Sequence, residues 1–155
     1  MTEQPTLPDH GVDQSCLAHL LGYRIAQAGI PSKAAFLKHL GEPLEIRPVE
    51  FTILTLVGFN PGVTQKQLSQ ALAVSAPNIT ILLDRLAEKG WLRRVRSETD
   101  HRAQNIHLTD EGSRLAKQAH KISLTMEQEM LRALSEGERV MLRELLGKVA
   151  AQRKV

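Results

Sequence analysis

Six basic side chains, Arg85, Lys89, Arg93, Arg94, Arg96 and Arg102, crowd one short window against three acidic ones, Glu88, Glu98 and Asp100. The whole chain has 20 lysines and arginines against 17 aspartates and glutamates, a net charge of +3, so this window alone matches the entire excess. A local basic cluster in a near-neutral chain marks where a polyanion would sit. Just upstream, Ser75, Ala76, Pro77, Asn78, Thr80 and Ile81 bring small, amide, hydroxyl and aliphatic side chains together. These are groups that meet base edges: Asn78 can hold an adenine with two hydrogen bonds, and Thr80 can meet a hydrogen-bonding edge or a thymine methyl. An outward Ile81 is accounted for either by a thymine methyl or by packing on the strands that follow. Aromatic residues make up only 3% of the chain, which argues against binding single strands by base stacking.

The elements that must position these residues can be read from periodicity. Leu17, Leu20, Leu21, Arg24, Ile25 and Ala28 recur at helical spacing after Asp13, an N-cap residue type. Gly29-Ile30-Pro31-Ser32 is expected to break or kink that helix, and Gly41-Glu42-Pro43 to end its continuation over Ala34 to Leu40. Pro48 fits the first turn of the next helix. Asn60-Pro61-Gly62 is a turn signal. Thr64 with Gln67 has the spacing of a capping box for a short helix, Gln65 to Leu72. The helix after Ser75 has Pro77 in its first turn and an inward stripe of Ile79, Leu82, Leu83 and Leu86, and Gly90 ends it.

After Gly90 the period changes to two. Trp91 to Arg96 and Gln104 to Leu108 read as two strands joined by a polar turn, Ser97 to Ala103. Arg94 and Arg96 would share one strand face, with Arg93 and Val95 on the other. Thr109 caps a long helix expected to reach Ala133, about 36 Å, with Leu115, Ala119, Ile122, Met126 and Met130 on one face. Ser135 and Glu138 form a second capping box for a last helix carrying Val140, Leu142, Leu145, Leu146 and Val149.

Helix, short helix, helix, strand, charged turn, strand is the order of a winged helix-turn-helix. The fold class expected is mainly α with a small β-hairpin wing and long terminal dimerisation helices. The divisions are a flexible tail at 1–12, an N-terminal helical dimerisation region at 13–46, a winged helix-turn-helix at 47–112 and C-terminal dimerisation helices at 113–155. The terminal helices have more apolar surface than a small winged domain covers. Two copies of the chain, or an intramolecular helical pair, would bury it.

The stretch from Gly90 to Gly112, GWLRRVRSETDHRAQNIHLTDEG, resembles the wing signature of the MarR family of transcription regulators. Asp100-His101-Arg102, then Leu108-Thr109 and Gly112, match its wing motif, and Leu83 to Gly90 matches the end of its recognition helix. At Ile81 the chain departs from the arginine or other polar residue that many members carry. The resemblance implies a homodimeric repressor on double-stranded DNA with an inverted-repeat operator. It implies that Arg102 reaches the minor groove from the wing tip with Asp100 holding it, and that Arg94 and Arg96 meet phosphates. Gln65, at the start of the short helix, and Arg85 complete the expected DNA-facing set. The alternative for Asp100 and Arg102 is a solvated turn pair.

The resemblance also implies a pocket between the terminal helices and the winged domain. His19, Tyr23, Arg24, Lys38, His39, Arg47 and Phe51 are the residues that would meet a ligand there, such as a small aromatic acid or an acyl-coenzyme A. Cys16, the single cysteine, offers a thiol-based peroxide sensor as the rival, or is a small apolar residue. The six histidines include no two at three or four residues' spacing, so no metal site is expected. There is no Gly-rich phosphate loop or nucleophile elbow, so neither an enzyme nor a cofactor is expected. No apolar run is long enough to cross a membrane, and Met1 to His10 lacks the pattern of a secretory signal, so a cytoplasmic protein is expected. A third class, a winged-helix adaptor that binds protein instead of DNA, would have no use for Arg94, Arg96 and Arg102 on a hairpin.

Overall fold

The structure, a computed structural model, describes residues 11–96 and 104–153. Residues 1–10 of the expected tail and the polar turn at 97–103 lie outside the described residues. Asp13 stands just before a smaller element than the sequence predicts, a single 3-10 turn, Ser15–Leu17, whose N-cap is Gln14. The Asp13 carboxylate accepts the Ser15 amide at 2.9 Å and the Ser15 hydroxyl at 3.0 Å. Those two bonds favour the charged form and hold its carboxyl below the usual range. The first long helix, α1, therefore starts only at Leu21, after an extended Leu20.

Pro31 does not break α1, which runs through it from Leu21 to Phe36. The ring removes one backbone donor and crowds the turn before it. Burial of Phe36 and Leu40, 7% and 0% exposed, holds the continuation down. A π turn, Leu37–Gly41, and a short α2, Glu42–Leu44, extend it past the expected stop at Gly41. Pro43 stands in the first turn of α2, where its missing donor costs little, and the run ends at Glu45 with φ of 51°.

The winged unit follows the sequence closely. It comprises α3 (Pro48–Phe59), β1 (Val63–Thr64), α4 (Gln65–Leu72), α5 (Ala76–Glu88), β2 (Leu92–Arg96) and β3 (Gln104–Leu108). Thr64 and Gln67 form the capping box: the Thr64 amide donates to Gln67 Oε1 at 2.8 Å, and the Gln67 amide to Thr64 Oγ1 at 3.3 Å. The turn from α4 to α5 passes through Ala73 at φ 50° and is closed by the Ser69 hydroxyl, which donates to the Val74 carbonyl at 2.6 Å. The expected hairpin gains a third strand. The sheet runs β1-β3-β2, all antiparallel, with Val63 opposite Ile106 and Leu92 opposite Leu108.

The helix α6 is shorter than expected, Asp110–Ser123, and hydrogen-bonded turns carry the chain on through residues 124–133. The Ser123 and Thr125 hydroxyls donate back to the His120 and Ile122 carbonyls at 2.7 and 3.4 Å. The Thr125 amide takes a three-residue bond to Ile122 at 3.1 Å. Hydroxyls that satisfy carbonyls one turn back compete with helix continuation. Then α7, Glu136–Ala150, starts on the Ser135 and Glu138 capping box. The Ser135 amide and hydroxyl both donate to Glu138, which holds that carboxyl below its usual range.

Two apolar clusters result. Ile53, Leu54, Val57, Leu68, Ile79, Leu83, Leu86, Leu92, Ile106 and Ala116 form the core of the winged unit. Phe36, Leu40, Ile46 and Ala119 form the second, where α1 and its continuation meet α6. Trp91 and Leu115 pack against both. At Trp91 three elements also meet through their backbones. Gly90, at φ 74°, ends α5. The Thr109 amide donates to the Trp91 carbonyl at 3.1 Å, and the Thr109 hydroxyl to the Gly90 carbonyl at 2.6 Å. The Gly112 amide donates to Thr109 Oγ1 at 3.0 Å.

A Cβ on Gly112 would lie 1.9 Å from the Trp91 carbonyl oxygen, inside any allowed contact, and the clash is with backbone that cannot swing aside. Gly112→Ala is therefore expected to lower unfolding stability by about 3 kcal/mol or more, the upper end for overpacking. Urea denaturation followed by circular dichroism measures it. A midpoint equal to wild type would mean that α6 does not dock this closely.

Candidate nucleic-acid interface

The orientation of α5 is set by its buried side. Ile79, Leu83 and Leu86, spaced four and three residues apart, are at most 1% exposed, and Leu82 is half-buried beside them. The opposite side of the N-terminal half faces outward. Ser75, Ala76, Pro77 and Asn78 are exposed, Thr80 is half-buried, Ile81 is 50% exposed and Arg85 is exposed. Ile81 is not among the hydrophobic residues packed against the winged core. Ser75 is the N-cap by backbone, but its hydroxyl makes no capping bond. Among the described residues nothing bonds the Asn78 amide. Gln65 is drawn to this face, its Nε2 donating to Thr80 Oγ1 at 2.7 Å.

The strand β2 lies beside this helix. Its register places Arg94 opposite Ile106 and Arg96 opposite Gln104, so Arg94 and Arg96 share the face of Leu92, with Arg93 and Val95 on the other. That face looks toward α5. Arg94 Nη1 donates to Asp84 Oδ1 at 2.6 Å, tying strand to helix. The guanidinium has five donors, so this bond leaves others for a phosphate. Arg93 and Arg96 are exposed. Asp100 and Arg102 lie outside the described residues.

Sequence reasoning missed a second clamp, at the other end of α5. Glu50 is the one charged side chain in α3 and is 4% exposed. Its Oε2 accepts the Arg47 amide at 2.9 Å and its Oε1 the Lys89 ammonium at 2.8 Å. Lys89 also stands 4.5 Å over the Trp91 ring. The only sequence signal was a lone carboxylate in an otherwise apolar helix.

The seven residues expected at a ligand pocket are dispersed. The Tyr23 hydroxyl donates to Gln14, and Arg24 Nε donates to the Ala18 carbonyl at 3.2 Å, so both secure the segment before α1. His19 and Cys16 are exposed on that segment. Arg47 is exposed at the start of α3, and Phe51 packs on Phe36 with ring centres 5.9 Å apart. Lys38 and His39 share a cavity. It measures about 450 Å³ and is lined also by Pro31, Ala34, Ala35, Met126, Glu129, Met130 and Arg132. Lys38 and Glu129 pair across it at 3.3 Å. No cluster of three potential metal ligands occurs among the described residues.

The sequence model of the MarR family matches residues 44–103. The HTH-type transcriptional regulator PecS of Dickeya dadantii is 39% identical over 103 residues, which is 64% of this chain and 62% of PecS, so the match spans less than two thirds of that relative. The multiple antibiotic resistance protein MarR of Escherichia coli is 32% identical over 108 residues, 69% of this chain and 75% of that protein. Among solved structures, the transcriptional repressor CouR bound to a 23-mer DNA duplex superposes with a TM-score of 0.82 at 31% identity, covering 90% of this chain and 98% of that one.

Removing Lys89 would strand the Glu50 carboxylate. Lys89→Met is expected to cost about 2–3 kcal/mol, below the value for a fully buried pair because the Lys89 side chain is 38% exposed. Glu50→Gln, which keeps an acceptor for the Arg47 amide, is expected to cost less. Equilibrium denaturation ranks the two, and the reverse order would remove the clamp from the account.

Proposed function

The chain belongs to the MarR family of transcriptional regulators, and from that premise we propose that it is a homodimeric repressor that binds an inverted-repeat operator in double-stranded DNA and leaves it when a small aromatic acid binds. The observation that carries this reading is the exposed N-terminal face of α5, with an uncommitted Asn78 amide beside a strand bearing three arginines. In this reading α5 enters the major groove, Arg94 and Arg96 meet phosphates, and Asp100 and Arg102 act at the wing tip.

Support for the dimer comes from α7. None of its residues is buried, and Val140, Met141, Leu142, Leu145, Leu146 and Val149 are 39–59% exposed. An isolated helix of this length is marginal in water, so its order needs a covering surface. The exposed Leu21, Ile25 and Ile30 of α1 offer the same kind of face, and a second copy supplies both. Two-fold pairing of the terminal helices would then set two copies of α5 about 34–36 Å apart, one DNA turn.

The effector is assigned to the cavity at Lys38 and His39. Its volume of about 450 Å³ lies in the range of small-molecule sites, and an aromatic acid is the ligand this reading takes. An acid would compete with Glu129 for Lys38 and take Arg132 as a second cation. The exchange would loosen the link between α1 and the segment after α6, and so shift the spacing of the recognition helices between two dimer states. A second reading, oxidation of Cys16 as the signal, has the exposure of that thiol in its favour.

Fluorescence anisotropy on duplexes from the chain's own upstream DNA tests the proposal. Binding is expected to be tight and salt-sensitive, with Arg85→Ala and Arg102→Ala each lowering the salt slope by about one. Leu145→Asp is expected to yield monomers that bind far more weakly. An aromatic acid is expected to release the wild type, whereas release by peroxide that Cys16→Ser abolishes would transfer the signal to the thiol. Absence of DNA binding by a folded dimer would leave the adaptor reading in its place.

A further inference from the structure

The hydroxyl of Thr80 is already used within the protein. A threonine hydroxyl has one hydrogen to give and two lone pairs to receive with. Thr80 Oγ1 donates its hydrogen to the Ala76 carbonyl at 2.8 Å and accepts the Gln65 amide at 2.7 Å. Nothing remains to donate to the acceptor edges of a base pair. These two bonds also fix the side chain in one rotamer, since a threonine bonded to the carbonyl one turn back cannot turn its methyl elsewhere without breaking the bond. Apart from one remaining lone pair, which faces no donor on a thymine, what Thr80 offers is its γ-methyl. The next residue, Ile81, is 50% exposed and wholly apolar, on a helix whose core side is already filled by Ile79, Leu83 and Leu86.

We infer that Thr80 and Ile81 form an apolar reading surface that selects thymine by its 5-methyl group, with Thr80 held in place by Gln65. Gln65 is then a positioning residue that acts on the base through Thr80. The inference rests on the reading of α5 as the recognition helix. It goes further by assigning what two of its residues recognise and by excluding the Thr80 hydroxyl as a donor to a base.

The test uses the full-length protein and a duplex selected by it from a random pool. Thymines in the half-site are replaced one at a time by deoxyuridine, which removes only the methyl. At one or more positions the affinity is expected to fall about fourfold, the worth of one buried methyl-sized group. Thr80→Val keeps the methyl shape but loses the hydroxyl and with it the tie to Gln65, and is expected to bind somewhat less well than wild type while keeping its sensitivity to deoxyuridine. Thr80→Ser keeps the hydroxyl and loses the methyl, and is expected to bind about fourfold less well and become indifferent to deoxyuridine at one position. The inference is overturned if Thr80→Val loses affinity while Thr80→Ser keeps it, or if the wild type ignores every deoxyuridine. Failure to select any duplex would overturn the DNA-binding reading itself, and this inference with it. The deoxyuridine series on wild-type protein needs no variant to fold.

Discussion

The Trp91 carbonyl oxygen lies where a side chain at position 112 would have to be. Glycine there lets α6 start directly against the base of the sheet. The Thr109 amide then reaches Trp91, and its hydroxyl reaches Gly90 at the end of α5. One residue's worth of missing side chain therefore fixes three things together: where the recognition helix stops, where β2 begins and where α6 departs. The Trp91 ring packs on both apolar clusters, so the same point joins the winged core to the helical base. The Glu50–Lys89 pair adds an anchor from α3 to the end of α5. A helix held at its end and along its buried side has its outward residues held as well.

The chain divides energetically into a unit that satisfies itself and an arm that does not. The winged core buries ten apolar residues from six elements. The arm, α7, buries none. Its start is capped by Ser135 and Glu138, and the Arg139 guanidinium ties it to the Leu131 and Leu134 carbonyls of the preceding turn at 2.9 and 3.1 Å. Caps of this kind contribute about 1 kcal/mol each and do not replace a packed face. This contrast is what makes an assembly of two copies the economical reading. In the proposed mechanism, α1 and α7 are the elements whose arrangement a small ligand would shift without unfolding the winged unit.

Much of this was legible in the sequence, and the exceptions have physical causes. The two capping boxes, the inward stripe of α5, Gly90 and both hairpin strands are local signals, and the structure has them where the spacing put them. Pro31 misled because the cost of a proline is local, whereas the burial of Phe36 and Leu40 that outweighs it comes from packing against α6. The end of α6 was hidden because Ser123 and Thr125 fit helical periodicity while their hydroxyls work against it. The two-residue β1 is too short to show a period at all. Long-range pairs such as Arg94–Asp84 and Lys89–Glu50 join charges that composition counts but cannot match. The residues expected at a ligand pocket are separated by the same kind of long-range packing. Tyr23 and Arg24 bond to the chain before α1, while Lys38 and His39 line one wall of a groove whose other wall comes from residues 126–132.

The central claim is that two copies of α5, set apart by a two-fold, read one face of a DNA duplex. Hydroxyl-radical footprinting on a selected duplex tests it most directly. The account predicts two protected patches on one face of the helix, symmetric about a centre and about ten base pairs apart, and their joint loss in a variant that cannot dimerise. A single patch that survives loss of the dimer, or uniform protection without a centre, would contradict it.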